Sequence, residues 1–164
     1  MPIHSSLFLI VAAALLGVVC GMRTFVAPAI LALVLSRRPE LVTPVAPVHW
    51  FTHPYVAIIL PIAAIGELIG DKLPQTPNRT ALAPFVARVV SGGICGAAIV
   101  QLGSMNPWIG AGCGAVGAAA STIGAFHARR YVGRVTGIRD PYIAVAEDVF
   151  AIVIASSVIA TMRM

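Results

Sequence analysis

With 164 residues, the chain has room for a single domain. Hydrophobic residues make up 59% of it and charged residues only 10%, against about 25% in soluble domains, and the mean hydropathy is +0.93. That composition excludes an ordinary soluble fold. The net charge of +5 sits in short segments between apolar runs rather than in a stripe, which argues for headgroup contact and orientation in a bilayer and against nucleic acid.

A bilayer core of about 30 Å takes roughly 20 apolar residues at about 1.5 Å each. Five stretches meet or approach this: 6–35, 54–70, 81–103, 107–128 and 141–162. The expected fold is all-α, one polytopic transmembrane helix bundle over residues 1–164, packed through Gly and Ala faces. The first stretch either spans with a large tilt or breaks near Arg23 or Pro28 into a hairpin, which makes six helices. No Lys or Arg precedes it, so it reads as a retained helix rather than a signal peptide. Gly17 and Gly21 lie four apart on it, with Arg23 and Thr24 just beyond, a combination suited to a distorted helix facing the bundle interior.

The second stretch opens at His53-Pro54 and ends in Gly66-Glu67-Leu68-Ile69-Gly70-Asp71-Lys72-Leu73-Pro74. Glu67 and Asp71 share a helix face, and Pro74 cannot continue the helix. Carboxylates at a helix C-terminus oppose its dipole and need a cation. Arg88, on the face of Gly92 and Gly96 in the third stretch, is the expected partner, either as a clamp between helices or as a gate. The fourth stretch starts at Asn106-Pro107 and the fifth at Asp140-Pro141, each a capping side chain before a proline that presets the first helical φ. Glu147 and Asp148 lie about two turns into the fifth. Neighbouring carboxylates point about 100° apart, so each needs its own cation, with Arg23, Arg88 and Arg129 as candidates.

The echo between His53-Pro54-Tyr55-Val56-Ala57 and Asp140-Pro141-Tyr142-Ile143-Ala144 raises the possibility of an inverted repeat. For five spans with the N-terminus inside, Lys72, Arg79, Arg129, Arg130, Arg134 and Arg139 fall on the cytoplasmic side and Arg37, Arg38 and Arg163 opposite, so the C-terminus is expected outside. Cys20, Cys95 and Cys113 lie in apolar runs without paired spacing and read as packing residues, so no metal or other cofactor is implied. His49 and His53 flank Trp50 and Phe51 in what reads as an interfacial aromatic belt, and His127 sits beside Arg129 and Arg130. No zinc-protease, serine-hydrolase, Walker or Cys-x-x-Cys motif is present, and no enzyme is expected.

The run Glu67, Asp71, Lys72 and Pro74, then Arg88, Gly92, Gly93 and Gly96, resembles a bacterial membrane family known only as domain of unknown function 4126. Gly17, Gly21, Arg23 and Thr24 echo its first helix, and Glu147-Asp148 its late acidic pair. The loop Gln75-Thr76-Pro77-Asn78 departs from it in lacking an acidic residue. The resemblance implies a multi-pass protein of the bacterial inner membrane with a buried polar core, and no activity.

These features favour a small channel or transporter for an ion or small solute, expected as a homo-oligomer. Glu67, Asp71, Lys72, Arg88, Glu147, Asp148 and Arg23 form its polar pathway. The alternative is a lipid-binding or scaffold protein whose buried charges lock the fold, with Arg129, Arg130, Arg134 and Arg139 meeting anionic lipid headgroups.

Overall fold

The computed structural model describes residues 5–42, 45–71, 82–136 and 140–162. They form six α-helices and no strand: α1 (Ser6–Met22), α2 (Val26–Leu35), α3 (Pro54–Gly70), α4 (Leu82–Gln101), α5 (Pro107–Thr136) and α6 (Asp140–Thr161). Short 3-10 turns at Pro39–Leu41 and Val48–Thr52 lie between α2 and α3. α4, α5 and α6 are long and apolar enough to cross a membrane. α1 and α3, at 17 residues each, reach about 26 Å.

Proline punctuation sets the starts. α3 begins at Pro54 and α5 at Pro107, where the Asn106 side chain accepts the Trp108 amide at 3.0 Å. α5 runs to Thr136, two turns beyond the apolar stretch that announces it, because the added residues keep helix propensity while becoming polar.

The centre of the molecule is a three-helix contact of α1, α4 and α5. With no hydrophobic force between helices in lipid, these helices hold by backbone proximity, and glycine supplies it. A Cβ on Gly17 would stand 2.1 Å from the Gly114 carbonyl oxygen, and one on Gly114 2.1 Å from that of Gly92. Gly96 and Gly110 face each other with the same intolerance. α3 is the opposite case: Ala64 is its one buried residue, and Ile58, Ile59, Ile62, Ile65 and Ile69 are exposed. Such an outward apolar face suits lipid as solvent.

The first apolar stretch is a broken hairpin. Leu9 meets Gly103, Gly17 meets Gly114, and Gly21 meets Ala118 and Ser121, so α1 runs parallel to α5. α6 runs back along α5, with Glu147 beside Arg129. Beyond the break, Ile30 and Val34 line one cavity with Ser156, Ile159 and Ala160, while Arg23 meets Asp148; α2 therefore ascends with α6. This moves the amino end of α1 to the end of the bundle that holds the last turn of α6. The start of α1 and the end of α6, expected on opposite faces, thus share one end, and the arginines of α5 lie at the other. The physical reason is the reversal at Arg23, which adds one more change of direction than a single tilted span. The Pro-Tyr echo opens both α3 and α6, but α5 before α6 is continuous where α1–α2 before α3 is broken.

Candidate functional site

The break is built from backbone groups that lose their helical partners. Arg23 is extended (φ −140°, ψ 113°) and ends α1. Pro28 has no amide to offer the Thr24 carbonyl. Ser91 of α4 donates its hydroxyl to that carbonyl instead, at 2.6 Å. Thr122 of α5 donates to the Gly21 carbonyl at 3.0 Å, and Ser121 to that of Val18 at 2.8 Å. The amides of Thr24 and Phe25, which open α2, donate to the two carboxylate oxygens of Glu67 at 2.7 and 3.0 Å. A carboxylate from α3 thus caps the N-terminal end of α2, where the helix dipole favours negative charge. Irregular backbone among membrane helices is stable only when protein satisfies it in this way.

Arg23 itself is completely buried. Its Nη1 donates to Asp71, at the end of α3, and its Nε to Asp148 of α6. Nη2 reaches the Ala144 carbonyl at 3.5 Å. The side chains of Asp71 and Asp148 are only 10% and 8% exposed, so one arginine joins three elements away from water. A few ångströms along α6, Glu147 accepts from Arg129 at 2.7 Å. The adjacent acids of α6 divide between two cations, as their 100° divergence requires.

The residues singled out from sequence are therefore largely brought to one end of the bundle. Glu67, Asp71, Asp148 and Arg23 meet directly around the break. Arg23 reaches Asp71, a pairing not singled out from the sequence, and Arg88 lies buried on α4 one turn before Ser91. Arg129 is a partner of Glu147, with its side chain only 15% exposed, while Arg130 and Arg134 are exposed. Lys72, Arg79, Arg139 and Arg163 lie outside the described residues. His49 and His53 are exposed, His53 stacking on Tyr55, and His127 is exposed beside Phe126. No cluster of three metal-ligating side chains occurs among the described residues. Sequence reasoning missed Ser91, Thr122 and Gln101. Ser91 had a signal: Pro28 strands the Thr24 carbonyl, and a hydroxyl beside the close-packing Gly92 is placed to reach it. Gln101, buried at the end of α4, binds the Val48 amide and the Ala46 carbonyl at 3.1 and 3.0 Å and fastens this turn to the bundle.

The family model described as Domain of unknown function (DUF4126) matches residues 10–161. No curated protein and no solved structure matches the chain. The chain belongs to the DUF4126 family.

Proposed function

From membership of a family with no assigned activity, we propose on geometry alone that the chain is a small membrane transporter or channel for an ion or small solute. The observation that carries this reading is the interrupted hairpin α1–α2, with a buried arginine shared by two aspartates at the interruption. Discontinuous helices recur where transporters bind solutes and ions, and ionisable side chains among membrane helices mark their pathways. A proton or cation that neutralises Asp71 or Asp148 removes a carboxylate anchor of Arg23. α3 is the element that responds, since it is held at this end by Asp71 and Glu67 and buries little else. The proposal places the chain in the inner membrane of a bacterium, because spans there are helical whereas outer-membrane spans are barrels. It also makes the chain a homo-oligomer, since so few helices make a thin wall.

The test is ion and proton flux in proteoliposomes, comparing wild type with Glu67→Gln and Asp148→Asn at matched folding. Flux that both variants abolish without unfolding supports the pathway. A second reading, a lipid-binding or scaffold protein in which the charges are a lock, is favoured by one observation: each described carboxylate of the cluster already accepts from a protein donor. No flux for any ion, with both variants only less stable, gives that reading first place.

A further inference from the structure

Along the outer face of α4 run two adjoining apolar cavities. One, of ≈570 Å³, lies against the helix break between Phe25, Pro28, Leu60, Ala87 and Ser91. The other, of ≈510 Å³, continues past Gly93 and Ala97 to Pro107, Trp108 and Ala111. Trp50, Val90 and Ile94 line both, so the two form one groove. α3 walls the first cavity through Val56 and Leu60 and rests on α2 and the Val48–Thr52 turn, while Ala46 and Pro47 wall the second.

We propose that this groove holds one acyl chain of a phospholipid from the leaflet opposite the basic end of the molecule. Three observations point to that occupant. First, its lining includes the exposed Val90 of α4 on a chain with helices long and apolar enough to cross a membrane, so the groove continues the apolar outer surface. Second, from Ala87 to Ala97 it runs about 15 Å along the helix, which is the depth of one leaflet of a bilayer core about 30 Å thick. Third, the two tryptophans of the chain, Trp50 (54% exposed) and Trp108 (81% exposed), both line it, and Trp108 marks one end. Tryptophan settles at the headgroup level, so the glycerol belongs at the Trp108 end and the tail points to the break. The exposed Arg130 and Arg134 occupy the opposite end of α5, which the positive-inside rule makes cytoplasmic. An empty groove would forfeit dispersion contacts on all its walls, and a single chain restores them.

The tryptophans make the site readable. Full-length Trp108→Phe protein in detergent, with Trp50 as its one tryptophan, is titrated with phosphatidylglycerol brominated in mid-chain while tryptophan emission is followed. The expected result is quenching that saturates at one lipid per chain. Gly93→Leu should abolish the saturable part, because a Cβ there meets nothing closer than 3.5 Å and the longer side chain extends into the groove. Gly66→Leu, on a face of α3 with open space around it, should leave quenching unchanged. Quenching that rises without saturation and is the same in all three proteins overturns the proposal. So does a wild type that is a dimer with Trp50 shielded from brominated lipid and that Gly93→Leu makes monomeric, since a second copy would then fill the groove.

Discussion

Arg23 shows how one side chain can decide the course of a membrane segment. Its guanidinium has no access to water and holds α3 through Asp71 and α6 through Asp148. Removing one partner of a buried ion pair leaves the other charge uncompensated and costs about 3–5 kcal/mol. Arg23→Gln is therefore expected to lose that much stability in detergent unfolding. The double variant Arg23→Gln/Asp148→Asn should lose less than the two single losses added together, and strict additivity would show that the pair is not coupled. Ser91→Ala removes a single donor from the stranded Thr24 carbonyl and should cost about 1–3 kcal/mol by the same assay. From sequence, the need for a cation near Asp71 was legible, but not which arginine would meet it. Arg23 meets it because the reversal at residue 23 brings this side chain under both α3 and α6, a placement no local pattern encodes.

At the scale of helices, small residues do opposite work on different faces. Gly114 sits between Gly17 and Gly92, and an added methyl would collide with backbone, which cannot move aside without parting α4 from α5. Gly112 on the same helix and Gly66 on α3 have open space around them. Gly114→Ala is expected to lower the unfolding midpoint sharply, while Gly66→Ala should raise stability by about 0.5–1 kcal/mol through backbone entropy. Equal responses of the two would mean that the α1–α4–α5 contact is not what holds the bundle. The start of α5, the start of α3 and the glycine faces of α1, α4 and α5 were all readable from proline position and four-residue spacing. The end of α5 was not, because hydropathy stops reporting where the helix leaves the apolar region and propensity alone carries it on.

For the molecule as a whole, the reversal between α1 and α2 fixes how the ends are arranged. The largely apolar stretch from residue 6 to 35 reads equally as one tilted span or as two helices, since periodicity does not register a change of direction. Pro28 and Arg23 mark the spot, and the satisfied backbone of the break, with Glu67 capping α2 and Ser91 and Thr122 closing the freed carbonyls, shows which alternative the chain takes. The most direct test is the sidedness of the two termini, measured by membrane-impermeant labelling of a single cysteine placed at Ser5 or at Met162 in an otherwise cysteine-free chain, with a third at Arg134 as reference. The hairpin predicts that positions 5 and 162 are labelled from the same face and position 134 from the other. Labelling of 5 and 162 from opposite faces would mean that the first stretch crosses once, and would contradict the break, the clamp on Arg23 and the pathway proposed through it.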